Sequence, residues 1–168
     1  MIIAGSPPET RVAQLRAFRK QITGSATGWP TGAFDGTSAL PFGQTGFFLP
    51  RKVLEWISPK RPASYHDTSA LKSKLEWLVA FDRINTAAEP RPSVGAVNLR
   101  TGRFASFDST KIPVQPEHIM ASGALPPGFP AVEIDSEHYW DGGVVSNTPL
   151  AHVLDQLPGR TRPTFQVD

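Results

Sequence analysis

An aspartate followed by two glycines is the position in this sequence best suited to chemistry. Asp141 follows the aromatic pair Tyr139-Trp140 and precedes Gly142 and Gly143. Glycine lets the backbone turn sharply and approach a neighbouring segment closely, so the pattern suits a carboxylate that is held at a site. The same pattern is typical of an ordinary turn between two strands. Taken alone, the local pattern favours the turn.

Composition excludes several classes of protein. A chain of 168 residues fits one domain. It has no Cys, which excludes thiolate nucleophiles, disulfides and cysteine metal sites. The 17 basic and 15 acidic residues leave a net charge of +2, and this balance predicts no nucleic-acid partner. The four His lack the spacing of a helical zinc pair, so we predict no metal and no other cofactor.

The strands that position Asp141 follow from local patterns. Residues 93–98 read as a buried strand, and residues 103–107 read as its hairpin partner across a turn rich in polar residues. A second small hairpin is predicted to pair residues 132–134 with residues 138–140, and its second strand leads directly to Asp141. The sequence therefore predicts that Asp141 lies at the end of a strand.

Helical patterns surround these strands. In residues 7–22 an apolar face recurs at Val12, Leu15, Phe18 and Ile22, which favours a helix packed on the core. Its basic residues leave open a contact with anionic lipid instead. Further helices are predicted near residues 53–57, 71–79, 117–124 and 147–157, and a long aromatic loop over residues 25–50.

Several longer motifs carry a resemblance to a known family. From residue 64 to residue 155 the sequence resembles the C-terminal half of a bacterial patatin-like phospholipase domain. The resemblance lies in Asp141-Gly142-Gly143 and in residues 81–85 (FDRIN), 93–98 (SVGAVN) and 116–130 (PEHIMASGALPPGFP). It implies an α/β fold, an incomplete patatin-like three-layer arrangement with a mixed, mostly parallel sheet between helices. It also implies that Asp141 is the catalytic base of a Ser-Asp dyad and that Gly142 and Gly143 have a structural role. As a base, the Asp141 carboxylate is expected to face a concave surface and not to cap the amides of a local turn.

The serine of such a dyad is not evident. In the family it lies in a G-x-S-x-G turn, and no Ser of this sequence has Gly both two before and two after it. Ser38 has only the preceding Gly36, and Ser93 only the following Gly95. The glycine-rich segment that supplies the family's oxyanion hole is also missing. Residues 1–168 are therefore expected to form a single patatin-like domain truncated at its N-terminus.

Two functions follow from this resemblance. The first is a lipid acyl hydrolase, of the phospholipase or esterase type, in which this chain alone is inactive. The second is a non-catalytic interaction protein that retains the scaffold. A lipid or acyl ester is the expected substrate, and a peripheral contact with a membrane is left open. Because no apolar run is long enough to span a membrane and no signal peptide is visible, a cytoplasmic or membrane-peripheral location is expected.

Overall fold

Helices and strands alternate along the chain in the computed structural model, which describes residues 1–24, 47–52, 64–86 and 90–145. The α/β class expected from the sequence is confirmed. The helices are α1 (Arg11–Gly24), α2 (Ser69–Leu78), α3 (Phe81–Thr86) and α4 (Pro116–Ala121). The strands are β1 (Leu49–Pro50), β2 (His66–Asp67), β3 (Ser93–Asn98), β4 (Phe104–Asp108), β5 (Val132–Ile134) and β6 (Glu137–Asp141), and a 3-10 helix spans Gly142–Val144.

The main sheet has the strand order β4-β3-β6-β5, and all of its pairs are antiparallel. The expectation of a mostly parallel sheet is therefore wrong for the described strands. Parallel neighbours need a crossover of about a dozen residues or more, whereas β3 joins β4, and β5 joins β6, through short turns. The three-layer arrangement stays a prediction. The remaining strands, β1 and β2, form a separate antiparallel pair.

Asn98 fixes the turn between β3 and β4. Its Oδ1 accepts hydrogen bonds from the backbone N–H of Arg100 at 3.0 Å and from the N–H and hydroxyl of Thr101 at 2.9 and 3.1 Å. Its Nδ2 donates to Glu137 at 3.1 Å, at the start of β6. Because Asn98 is only 9% exposed, these partners satisfy an amide that would otherwise be buried at a cost. One side chain thus holds β4 and β6 in register with β3.

The connection between β5 and β6 consists of Asp135 and Ser136. Their φ angles are 50° and 64°, and both lie in the left-handed region. Two consecutive positive φ angles are what a type I′ hairpin turn requires, and its twist matches that of the flanking strands. This turn explains why β6 runs back beside β5.

Two apolar clusters form the core. The sheet cluster lies between β3–β6 and α4, and the helix cluster gathers α2, α3 and the N-terminal segment. Met120 of α4 packs against both clusters, and an ion pair of 2.6 Å between Lys72 and Glu117 also joins α2 to α4. The buried members are Ala96, Phe107, Ala121, Ala124, Val132 and Ile134 in the sheet cluster, and Ala4, Leu75, Val79, Ile84 and Val114 in the helix cluster.

Helix α1 packs less closely than its pattern suggested. Val12 is 61% exposed and Leu15 is 44% exposed, so a core-packed apolar face is wrong for these two residues. Phe18 of the same face is half-buried and turns toward the protein, and the side chain of Ile22 lies outside the described part of the helix. The reason is the spacing of the apolar residues. Residues three apart on a helix lie about 60° from each other around its axis, so Leu15 and Val12 lie progressively farther from the side of the helix that Phe18 turns toward the core.

The other helix predictions have different outcomes. Helix α2 confirms the prediction from the Leu71 and Leu75 spacing, and the Asp67 carboxylate accepts a hydrogen bond from the Ser69 N–H at 2.9 Å at its start. Helix α4 is shorter than expected and ends at Ala121. The helices predicted near 53–57 and 147–157, and nearly all of the loop predicted over 25–50, lie outside the described residues.

Asp108 is a buried carboxylate at the end of β4, with 2% of its surface exposed. Arg91 donates to both of its oxygens, from Nε at 2.9 Å and from Nη2. The N–H and hydroxyl of Thr110 donate to the same carboxylate at 2.9 and 2.8 Å. The hydrogen bond from Arg91 is the main reason that the pKa of Asp108 lies well below its usual range. The ionised form of Asp108 therefore stabilises the fold.

We expect Asp108→Asn to lower the free energy of unfolding by about 1 to 3 kcal/mol near neutral pH. Because the pKa of Asp108 is lower in the folded state, its contribution is present above the unfolded-state pKa of about 4 and is lost as the pH falls. Urea unfolding near pH 7 and near pH 3 measures both effects. The difference between wild type and variant should narrow at the acidic pH.

Asp135→Asn is the matched control, because Asp135 is exposed and Asn tolerates its left-handed backbone. We expect it to change the free energy of unfolding by no more than about 0.5 kcal/mol. Equal stability of Asp108→Asn and wild type at both pH values would contradict a stabilising role for the ion pair.

Candidate active site

Asp141 is the last residue of β6, as the sequence predicted. It lies opposite Ala96 in the ladder between β6 and β3. Its backbone N–H donates a hydrogen bond of 3.1 Å to the carbonyl of Ala124, just beyond α4. The backbone of Asp141 is therefore held by the central strand on one side and by the segment after α4 on the other.

The carboxylate of Asp141 caps the turn that follows it. Its Oδ1 accepts a hydrogen bond of 2.9 Å from the Gly143 N–H, and Asp141 is the N-cap of the 3-10 helix. The expectation that this carboxylate would leave the local amides uncapped is therefore wrong. The physical reason is the backbone: Asp141 is extended, with φ −51° and ψ 132°, which brings the amide two residues ahead within reach.

Gly142 is placed where only glycine fits. A Cβ on Gly142 would lie 2.9 Å from the carbonyl carbon and oxygen of Gly95 in β3, and 3.1 Å from the ring of Phe104. A Cβ on Gly95 would in turn lie 2.4 Å from the same ring. Two glycines and one phenylalanine thus let the turn after Asp141 pack directly on the central strand.

Helix α4 supports the other side of the site. The side chains and backbone of Gln115 and His118 form a reciprocal cap at its start, in which His118 Nδ1 accepts from the Gln115 N–H at 2.9 Å. The imidazole is 5% exposed and stacks 4.3 Å from the ring of Phe107. Burial lowers the pKa of His118, and the acceptor role of Nδ1 requires the neutral ring. This cap anchors the helix that leads to Ala124.

Exposed apolar side chains surround the Asp141 turn. Leu125 is 52% exposed, Val144 51% and Val145 58%. Leu125 follows Ala124, whose carbonyl accepts the hydrogen bond from the Asp141 N–H, and the two valines follow Gly143. An apolar rim of this kind favours contact with an apolar ligand over a charged one.

The serines do not complete a dyad in the described part of the chain. Among the residues described, no serine hydroxyl lies within hydrogen-bonding distance of the Asp141 carboxylate. Ser93, one of the two partial matches to the nucleophile turn, pairs with the hydroxyl of Ser106 at 2.9 Å. Ser38, the other, lies outside the described residues.

Sequence reasoning missed three residues that hold the site: Gly95, Phe104 and Ala124. A usable signal existed for Gly95, because a glycine in the interior of a strand often marks a close backbone approach. No local signal pointed to Ala124, whose carbonyl becomes a partner of Asp141 only through the tertiary fold.

Comparison with known proteins defines the class of this chain. A sequence model of the family described as patatin-like phospholipase matches residues 1–154. The chain therefore belongs to the patatin-like phospholipase family, a family of lipid acyl hydrolases. None of the curated proteins matches it. Among the helices that the structure describes, none combines the length and the apolar character needed to cross a bilayer.

We expect Gly142→Ala to lower the free energy of unfolding by about 1 to 3 kcal/mol, because its Cβ would overlap the backbone of β3. Gly123→Ala is the matched control, since a Cβ there meets no atom within 4 Å. Thermal or urea unfolding of the two variants measures the difference. Equal stability of both variants would show that the turn after Asp141 moves freely away from Gly95.

Proposed function

We propose that this chain contributes the general base of a serine acyl-ester hydrolase that acts on lipids, and that Asp141 is that base. The observation that carries the proposal is the position of Asp141. Within the region that matches the family, it ends a strand whose backbone is held by Ala96 and Ala124. A base must be fixed against its partner to be effective, and this backbone is fixed on both sides.

The proposed chemistry is acyl transfer through serine. The serine hydroxyl attacks the ester carbonyl carbon, and the Asp141 carboxylate takes the hydroxyl proton. The proton then passes to the leaving alkoxide as the ester bond breaks. Water next hydrolyses the acyl-serine with the same carboxylate as base. Donors at the developing oxyanion would supply a few kcal/mol of stabilisation.

The turn-capping hydrogen bond is compatible with this role. An ionised carboxylate has two oxygens with about four acceptor positions. The Gly143 N–H occupies one of these positions on Oδ1. The bond fixes the plane of the carboxylate and leaves acceptor capacity for a serine hydroxyl.

The serine itself is proposed to come from a segment outside these 168 residues. The support is that no G-x-S-x-G occurs in the sequence. On this proposal residues 1–168 form part of one patatin-like domain, and the chain alone is inactive. In-frame DNA upstream of Met1 that encodes such a turn would supply the partner.

A second function is favoured by one observation. The Oδ1 contact with Gly143 is what a purely structural turn aspartate makes. A non-catalytic interaction protein that retains the patatin-like scaffold would keep this contact for stability alone. Loss of activity on changing Asp141 in a complete domain, without loss of folding, separates the two functions.

A peripheral contact with a membrane is part of the proposal. Helix α1 carries Arg11, Arg16, Arg19 and Lys20 and no acidic residue. Val12 and Leu15 on the same helix are exposed. Basic and apolar side chains side by side suit the surface of an anionic bilayer, where the lipid substrate resides.

We expect this chain to show no hydrolysis of p-nitrophenyl butyrate above the buffer rate and no labelling by a fluorophosphonate probe. The reason is that a base without its nucleophile and oxyanion donors cannot replace the whole unit. Turnover accompanied by labelling would contradict the proposal. Loss of both in Ser38→Ala would then identify Ser38 as the nucleophile.

In a longer chain that includes a G-x-S-x-G segment, we expect Asp141→Asn to lower the esterase rate by about two to four orders of magnitude. Asparagine keeps the shape and the Oδ1 acceptor for Gly143, so the unfolding midpoint should stay close to that of the parent. Glu133→Gln, a change on the exposed side of β5, serves as the control and should retain full activity. Near-normal turnover of Asp141→Asn would make Asp141 a turn residue only.

A further inference from the structure

His118 is a buried titratable side chain that the proposed chemistry does not use. It is the third residue of α4, and only 5% of its surface is exposed. Its Nδ1 accepts a hydrogen bond of 2.9 Å from the Gln115 N–H, which requires a lone pair and therefore a neutral ring. A capping box ordinarily has Glu or Gln at this position. Histidine, in contrast, changes its charge between pH 5 and 8 when it is unperturbed.

The backbone of α4 connects His118 to Asp141. The carbonyl of His118 accepts the Ser122 N–H at 3.2 Å, and the carbonyl of Ala121 accepts the Ala124 N–H at 3.2 Å. Ala124 is 2% exposed, and its own carbonyl accepts the Asp141 N–H at 3.1 Å. Because hydrogen bonds close each of these turns, a shift in the first turn of α4 also moves the carbonyl that holds Asp141.

Ring contacts connect the same two residues through the sheet. The His118 imidazole lies 4.3 Å from the ring of Phe107 in β4, at an interplanar angle of 31°. Phe107 in turn meets the ring of Tyr139 edge-on at 5.5 Å. Tyr139 is two residues before Asp141 in β6, and residues two apart point to the same face of a strand. His118 is thus linked to Asp141 along β6 as well as along α4.

Burial and nearby charges act in opposite directions on the His118 imidazole. Burial has the largest effect and lowers its pKa, whereas Glu117 of the same helix and Asp135 of the β5–β6 turn favour the charged form. The ion pair with Lys72 of α2 offsets part of the Glu117 charge. The side that faces the sheet meets an uncharged phenylalanine ring with a tyrosine ring behind it. Protonation would make Nδ1 a donor that opposes the Gln115 N–H.

We infer that neutral His118 is a positioning residue for Asp141. It fixes the first turn of α4 and thereby the Ala124 carbonyl that accepts the Asp141 N–H, and protonation of its imidazole weakens that hydrogen bond. The inference rests on the proposed function only in treating Asp141 as the base. Because the pKa of His118 is lower in the folded state, the contribution of the neutral ring is present above the unfolded-state pKa of about 6.5 and is lost as the pH falls.

Hydrogen exchange of single amides in the 168-residue chain, followed by NMR near pH 7, tests the inference without any hydrolysis. His118→Phe keeps a buried ring but removes the acceptor for the Gln115 N–H. We expect the protection factor of the Asp141 N–H to fall about fivefold, the effect of one lost cap. His118→Gln restores the acceptor that a capping box ordinarily has and should retain most of the protection.

The Asn98 N–H is the internal reference, because it donates to the Arg103 carbonyl at 3.0 Å in the β3–β4 hairpin. A purely structural role of His118 would lower the protection of both amides together through global unfolding. His138→Phe is the matched control, since it makes the same substitution at an exposed position of β6 and should leave Asp141 protected. Unchanged Asp141 protection in His118→Phe, or an equal loss at Asn98, would overturn the inference.

A pH series on the wild type and His118→Gln gives a result even where His118→Phe does not fold. Between pH 8 and pH 4.5, we expect the protection factor of the Asp141 N–H to fall in the wild type as the imidazole of His118 becomes protonated. The protection factor in His118→Gln should change little, because its amide does not titrate. Constant protection in the wild type, or the same fall in both proteins, would overturn the inference.

The outcome is separable from that of the proposed function. Asp141 protection that depends on His118, together with a fully active Asp141→Asn variant of the longer chain, would retain the positioning role and reject Asp141 as the base. Loss of activity in Asp141→Asn, with Asp141 protection that no change at His118 alters, would retain the base and reject the positioning role.

Discussion

The close approach of Gly142 to Gly95 constrains the backbone of the Asp141 site. Strand β3 is paired on both edges, and the turn after β6 lies on it so closely that a single Cβ would not fit. The ring of Phe104 closes the same space from β4. Since three segments meet within van der Waals distance, the backbone of Asp141 has little freedom to move. The carboxylate is positioned by backbone packing more than by side-chain partners.

The local elements could be predicted because their signals are local. The residues of β3 were predicted without error, and the hairpin that delivers Asp141 was predicted within a residue or two, from alternation and turn chemistry. Strand direction could not be predicted in the same way. The pairing of Ala96 with Asp141 joins residues far apart in sequence, and nothing in either segment specifies its neighbour or its direction. The resemblance suggested a mostly parallel sheet, which the described strands do not form.

At the site, too, features with a local sequence signal could be predicted and contacts between distant segments could not. Asp141, its two glycines and its place at a strand end could be predicted from a motif of three residues. A catalytic role favours a carboxylate free of local amides, yet the extended backbone of Asp141 brings the Gly143 N–H within reach of Oδ1. Ala124 contributes a carbonyl, and a backbone atom leaves no trace in residue type. Backbone partners of this kind can be identified only from the tertiary structure.

The amide of Asn98 has a consequence for the order in which the sheet assembles. Its contacts with Arg100 and Thr101 span two or three residues, whereas its contact with Glu137 spans 39. Local contacts close quickly because little chain entropy is lost, and distant ones form later. The β3–β4 hairpin should therefore be an early kinetic unit with Asn98 already in place. The β5–β6 hairpin would then pair with the free edge of β3, and Asp141 would reach its position among the last steps of folding.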